Sequence, residues 1–397
     1  MNFQARYAGF LLFFGLSALI GWQGYTYIFD TEAASITLTG IEDEGWCAGD
    51  AACTITSNKK GDVSIALDGQ PLINEFKMGK SHVHPFSIPT KQIASGAHKL
   101  KIVFVDRSYN KNKTEIEREF FVDNQPLQAA LVRPDANAKV FQGRTLHVQF
   151  QVNKPIKGAT VSTLSEKYPC FPESKKALIY EAYVPVPCEE KANEYLFSVD
   201  VVDNVGNTVR LDNKFQVVAY PFKKNALALS KETVDQEHEL GAEAQVFENL
   251  ISKLTEESPQ EKLWNGSFCT PVDIKKITTE FGTIRTTQHK GRYAHKAIDV
   301  IDAPRSVVWA TQDGVVVLKD RFEHSGNTIV IDHGFGLLSM FFHLEDFARI
   351  NVGDKVAIGN PIGTLGKTGY ATGYHLHWEM RVNNIPVDPM QWTKEIF

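Results

Sequence analysis

Between Ala34 and Tyr220 the apolar residues come in short runs separated by Gly, Asn, Asp and Pro, and that punctuation restricts this half of the chain to β-structure. The runs Ser35–Thr39, Val63–Leu67, His98–Val105, Leu146–Val152 and Leu196–Val202 read as strands of packed sheets. A weak repeat divides them into two units. Lys101–Asp106 leads to Asn110 and Val199–Asp203 leads to Asn207, and in both units the Asp precedes the Asn by four residues. Each unit then enters a further strand, Glu119–Val122 or Lys214–Val218, and closes near Pro126 or Pro221.

This pattern resembles bacterial immunoglobulin-like modules, with Asp and Asn side chains bonding the backbone of a turn between the last two strands. The expected organisation is one immunoglobulin-like domain over 34–126 and a second over 127–222. From 223 to 264 Glu, Gln, Lys, Ala and Leu dominate, and Leu227, Leu229, Val234, Leu240, Val246, Leu250 and Leu254 recur at loosely helical intervals. That stretch is expected to be a helical connector, either packed on its neighbour or acting as a spacer. The remainder, 265–397, carries the Gly-rich runs Val307–Ala310, Val315–Leu318, Thr328–Asp332, Leu337–His343 and Leu376–Val382, which predict an antiparallel β-domain. With 397 residues and 43% hydrophobic content, several separate cores can be built.

Tyr7–Phe29 is a run of 23 uncharged residues, preceded by Arg6 and followed by Asp30 and Glu32. That length can span a bilayer, and the lone basic flank favours a cytoplasmic N-terminus. Residues 1–33 are therefore expected to be a cytoplasmic tip and transmembrane anchor, with a cleaved signal peptide as the alternative. The anchored form places the domains outside a bacterial cytoplasmic membrane, in the periplasm or cell-wall space; the cleaved form is secreted. Five cysteines are present, and the pairs Cys47 with Cys53 and Cys170 with Cys188 would close local disulfide loops in an oxidising compartment. A net charge of -5 removes the general electrostatic argument for nucleic acid as a partner.

Seven of the twelve histidines lie from His289 onward, which directs the search for a metal to the C-terminal domain. His295-Lys-Ala-Ile-Asp299 and His375-Leu-His377 place residues two or four apart on one face of an extended strand. Two imidazoles and a carboxylate make a catalytic zinc set that keeps a fourth position open, and such a site points to hydrolysis.

These residues resemble the lysostaphin-like, LytM-type zinc endopeptidases of bacterial cell walls over roughly Thr279 to Pro389. The similarity is carried by Phe281-Gly-Thr-Ile-Arg285, by His295 and Asp299 at an H-x-G-x-D motif, by Ile331–Gly336, by Phe341-Phe-His-Leu344, and by Gly363–Gly369 running into Thr372–Glu379. The resemblance implies that His295, Asp299 and His377 hold one zinc ion per chain. It implies that His343 and His375 sit beside water and substrate, with His375 as the expected base and His343 assisting the transition state. The implied substrate is the stem peptides that cross-link peptidoglycan, cut by D,D-endopeptidase action. Two positions depart from the family pattern: Ala297 stands where Gly is usual, and Phe341 stands where Tyr is usual, which removes a hydroxyl. Arg285 could meet a substrate carboxylate or anchor its strand. His289, His324 and His333 are expected in loops or turns, and His82 and His84 on a solvated strand face.

Two other readings compete. One is a non-catalytic regulator of a cell-wall amidase or divisome partner with the same fold, although such relatives lose zinc ligands and this chain keeps all three. The other gives the main role to the upstream domains, as wall-binding modules.

Overall fold

The computed structural model describes residues 19–25, 27–78, 82–174, 177–226, 241–287 and 291–397. Two units organise them, one reaching to Pro126 and including Asn204–Asn207, the other made of Leu127–Asp203 and Thr208–Phe397. Most of the expected span Tyr7–Phe29 lies outside the described residues, as do Leu227, Leu229, Val234, Leu240 and His289. Among the described residues no helix is long and apolar enough to cross a membrane.

In the first unit, strict alternation builds two facing sheets. Strands β1 (Ile36–Thr39), β2 (Gly45–Cys47), β3 (Ala51–Ser57), β4 (Gly61–Leu67), β5 (Gln70–Met78), β6 (Val83–Ile88), β7 (Gly96–Asp106) and β8 (Lys113–Val122) form one sheet in the order β1-β3-β6 and another in the order β2-β8-β7-β4-β5. Every second residue of β4 and β7 points inward, so Val63, Ile65, Ile102 and Phe104 meet Cys53, Ile55 and Ile88. The Asp106 carboxylate accepts from the backbone N–H groups of Ser108 and Asn112, the turn chemistry expected of the Asp, whereas Asn110, four residues on, donates its side-chain amide to the Asp30 carbonyl.

The second unit opens with a similar two-sheet sandwich. Its strands are β9 (Ala129–Arg133), β10 (Lys139–Phe141), β11 (Thr145–Val152), β12 (Ile156–Thr163), β13 (Glu166–Pro169), β14 (Phe171–Pro172), β15 (Ile179–Pro185), β16 (Glu194–Asp203) and β17 (Thr208–Val218), in the sheet orders β14-β15-β11-β9 and β10-β17-β16-β12-β13. Asp203, like Asp106, is buried, and it takes the ammonium of Lys154 at 2.8 Å.

Neither expected disulfide exists, and all five cysteines are free thiols. Cys47 lies on β2 of the five-stranded sheet while Cys53 lies on β3 of the opposite one. Cys170 is enclosed in the second sandwich's core, whereas Cys188 faces Gly143.

Among its described residues the segment 223–264 is only partly helical. It starts with strand β18 (Lys224–Ala226), and helix α1 occupies Gly241–Glu256. α1 packs rather than spacing domains apart: Phe247, Ile251 and Leu254, at helical intervals of four and three, rest on Val330, Leu338, Met340 and Phe342 of the following sheet.

That sheet contains β19 (Lys276–Thr279), β22 (Ile298–Ile301), β24 (Gly314–Phe322), β25 (Gly326–Asp332), β26 (Leu337–Phe347), β27 (Lys355–Val356) and β29 (Leu376–Val382), in the order β19-β22-β29-β26-β25-β24-β27. Its neighbouring strands are antiparallel throughout, as the sequence pattern predicts. Strands β23 (Val307–Trp309), β28 (Pro361–Leu365) and β30 (Ile385–Val387) branch from it, helix α2 (Pro389–Trp392) follows, and β20 (Ile284–Thr287) and β21 (Gly291–Ala294) join β18 in a small separate sheet.

The sandwich and this sheet share one core. Phe171 stacks on Phe335 with ring centroids 4.0 Å apart, and Tyr183 sits among Trp264, Trp392 and Phe397. Beneath them Glu181 accepts from Lys262 Nζ at 2.9 Å and bonds His147 Nε2 at 2.9 Å.

Candidate metal centre

Strand pairing assembles the site. β22 and β29 lie side by side with Asp299 opposite His377, and β26 places Phe342 opposite His377 on the other side. His295 sits just before β22 and swings its Nε2 to 3.2 Å from Asp299 Oδ1, while His377 Nδ1 reaches the same oxygen at 3.0 Å. The three candidate ligand atoms all fall within 4.8 Å of one another. Tetrahedral zinc with bonds of about 2.0–2.2 Å needs ligand atoms roughly 3.3 Å apart, so the cluster is close to the required size.

The electrostatics suit a cation. Burial alone would raise the Asp299 carboxyl, but the imidazoles of His295 and His377 outweigh it and hold that carboxyl far below the usual range. Burial pushes the His377 ring down, yet Asp299 and then Glu379 overcome it and raise its proton affinity. A place that strengthens proton binding to a ring attracts positive charge, and a divalent ion would take the proton's position. The donor set, two imidazoles and one carboxylate, fits zinc.

The two other expected histidines flank this cluster. His343 and His375 have ring centroids 4.7 Å apart, and His343 lies 6.1 Å from His377. His343 Nδ1 donates to the Thr368 carbonyl at 2.9 Å and His375 Nδ1 donates to the Gly373 carbonyl at 2.9 Å. Both rings therefore keep the Nε2 lone pair free to accept a proton. Burial, with the charges of His377 and His375 added, pushes His343 down to about 3, so it stays neutral near pH 7.

His343 has a left-handed backbone, φ 60°, at an irregularity in the β25–β26 ladder. Phe342 keeps the face of Leu338 and Met340, and the kink turns His343 to the same side, toward the site. Phe342 stacks on the His377 ring at 4.8 Å, and Phe341 goes into the opposite core, fully buried. A tyrosine hydroxyl at 341 would thus not line the pocket, which lessens the weight of that departure. Ala297 is likewise fully buried.

The cluster opens into a cavity of about 640 Å³ whose lining includes Arg285, Tyr293, Phe342, Tyr370 and Tyr374. Arg285 NH2 lies 3.5 Å from Asp299 Oδ2 and 3.4 Å from Thr279 Oγ1, so it braces Asp299 while remaining about a quarter exposed to the cavity, at 27%. His324 occupies the β24–β25 turn at the rim, its ring stacked on Tyr370. His333 is fully buried, bonded to Asp313 O and Ser339 Oγ, and acts in packing. His82 and His84 are half-buried rather than solvated, with His84 stacked on Phe76 at 3.7 Å.

Sequence reasoning missed a buried ionic chain behind the ligands. Glu379 Oε2 lies 3.5 Å from His377 Nε2, Arg381 Nε donates to Glu379 Oε1 at 2.6 Å, and Glu248 of α1 takes the other edge of that guanidinium. The signal for Glu379 and Arg381 was their spacing two and four residues past His377, on the same strand face. No local pattern marks Glu248.

Residues 293–389 match the family model of Peptidase family M23. The C-terminal domain belongs to that family. Among curated relatives, Peptidoglycan DD-endopeptidase ShyC of Vibrio cholerae is 33% identical over 120 residues, which is 30% of this chain and 28% of the relative. DD-carboxypeptidase/endopeptidase Mpg of Neisseria meningitidis is 35% identical over 121 residues, 30% of this chain and 27% of the relative. The matched region thus spans little more than a quarter of either relative. The lysostaphin catalytic domain from Staphylococcus simulans aligns at 28% identity with a TM-score of 0.28, over 30% of this chain and 92% of that one.

Proposed function

We propose that this chain is a zinc-dependent endopeptidase that hydrolyses the peptide cross-links of peptidoglycan, with D,D-endopeptidase specificity. The observation that carries the reading is the convergence of His295, Asp299 and His377 beside two histidines whose Nε2 lone pairs are free. The names of the M23 relatives supply the substrate class.

Zinc held by His295 Nε2, Asp299 Oδ1 and His377 Nδ1 would supply Lewis acidity to the scissile carbonyl and the attacking water. His375 Nε2, the less buried of the two free acceptors, takes the proton from that water and passes it to the leaving amine nitrogen. His343, kept neutral by burial, offers its Nε2 as a hydrogen-bond acceptor beside the reacting amide. Phe342 and Asp299 fix the His377 ring from its face and edge.

The proposal extends to location and to the upstream domains. The uncharged Tyr7–Phe29 run and its charge flanks support a single-pass anchor in the cytoplasmic membrane, with the remaining domains in the periplasm. The two sandwiches are taken as immunoglobulin-like modules. A non-catalytic regulator is disfavoured because the donor set and both accessory histidines are complete.

The test is digestion of purified cross-linked peptidoglycan by the full chain, read by mass spectrometry. Cross-linked dimers should convert to monomers bearing a new D-alanine carboxylate and a free side-chain amine. Dimers left intact at high enzyme concentration would sink the proposal.

A further inference from the structure

Helix α1 lies outside the residues that match the M23 family, yet it contributes a carboxylate to both ligand-bearing segments. Glu248 accepts a bidentate pair from Arg381, NH1 at 2.6 Å and NH2 at 3.0 Å, and a third bond from Lys296 Nζ at 2.9 Å. Lys296 follows His295 directly in the chain. Arg381 NH1 also donates to Asn384 Oδ1 at 3.1 Å, and its Nε meets Glu379 Oε1 at 2.6 Å. Glu379 keeps its second oxygen for His377, on the ring nitrogen opposite the one that faces Asp299.

The charge of the guanidinium makes this arrangement depend on Glu248. Arg381 is buried and its one positive charge is shared between the carboxylates of Glu248 and Glu379. With Glu248 absent, Glu379 is the one carboxylate left on Arg381 among the described residues and would be drawn towards it, away from His377. Docking of the helix does not depend on the charge, because Phe247, Ile251 and Leu254 pack on the sheet and Glu243 accepts from the backbone N–H groups of Glu323 and His324.

We infer that Glu248 is a positioning residue for the metal centre, acting on His377 through Arg381 and Glu379 and on His295 through Lys296, so that α1 is part of the site. This rests on the proposed zinc reading. Partners behind a ligand commonly change metal affinity by about 10–100-fold, and Glu248 stands one step further out, so its loss should fall near the lower end.

The experiment compares full-length wild type, Glu248→Gln, His377→Ala and Lys253→Gln, an exposed control on the same helix. Zinc affinity is measured by chelator competition, folding by circular dichroism, and ligand field by the visible spectrum of the cobalt(II)-loaded proteins. The expected result is a roughly tenfold loss of zinc affinity and shifted cobalt bands in Glu248→Gln, with unchanged circular dichroism and an unaffected Lys253→Gln. Should Glu248→Gln fail to fold, Glu248→Asp, one methylene short of the guanidinium, carries the same comparison. Equal affinity and identical cobalt spectra in wild type and the folded Glu248 variant would overturn the inference alone. Wild type that binds no zinc, or His377→Ala that binds it as tightly as wild type, would overturn the zinc reading and this inference with it.

Discussion

Glu181 allows the sharpest quantitative prediction, because it is buried where the second sandwich joins the peptidase core. Its carboxyl is raised by burial but pulled the other way by the His147 hydrogen bond and the Lys262 charge, and settles at about 2 against an ordinary 4.5. At about 1.4 kcal/mol per unit, that difference is worth on the order of 3 kcal/mol of folding stability. The folded value is the depressed one, so this stability is complete above the unfolded value near pH 4.5. It is lost as pH falls from there through 2. Glu181→Gln should destabilise the chain at pH 7 by about 3 kcal/mol, since Lys262 is left facing a neutral partner at a buried site. Urea unfolding, followed by the fluorescence of Trp264 and Trp392 beside Tyr183, measures it. The difference between wild type and variant should shrink towards zero from pH 4.5 to pH 2, other carboxylates cancelling in the comparison. A constant difference across that window would refute the assigned role of the charge.

Other outcomes follow from the same structure. His375→Ala should lower kcat by roughly 10²–10⁴-fold with zinc stoichiometry unchanged, and a wild-type rate would remove it from the proton path. A fragment limited to 265–397 loses Phe171, Tyr183, Lys262 and Trp264, exposing Phe335, Trp392 and Phe397 at roughly 1.5–3 kcal/mol each. It should aggregate or unfold without cooperativity while 127–397 folds, and a stable 265–397 fragment would contradict the shared core. Denatured, unreduced protein should show five reactive thiols by Ellman titration; a lower count restored by reductant would reinstate a disulfide.

Much of the site was legible because its chemistry is written in short spacings. His295 and Asp299, and His375 and His377, sit two to four residues apart on extended chain, and β22–β29 pairing then brings the two motifs together. The alternation that predicted strands also produced the antiparallel sheet. What could not be read depends on contacts across long distances in sequence. Glu248 reaches Arg381 over 133 residues, and its helical face shows nothing that separates it from other exposed acids. Tyr183 and Phe171 lie on strands of the second sandwich, yet their rings complete the core of the sheet that follows. The left-handed turn at His343 reversed the face of His343 itself against simple alternation, bringing it to the side of Phe342. The cysteine pairs are near in sequence, but Cys47 and Cys53 lie on opposite sheets of the first sandwich, and Cys170 is enclosed in the second core while Cys188 faces Gly143.

The central claim is that His295, Asp299 and His377 hold one catalytic zinc. Its most direct test is titration of chelator-stripped full-length protein with zinc, following bound metal and release of cross-linked muropeptides together. Cleavage should be absent at the start, rise in proportion to added zinc, and level off at one ion per chain, while Asp299→Ala stays flat in both signals. Undiminished cleavage by the stripped protein, or zinc-restored activity in Asp299→Ala, would contradict it.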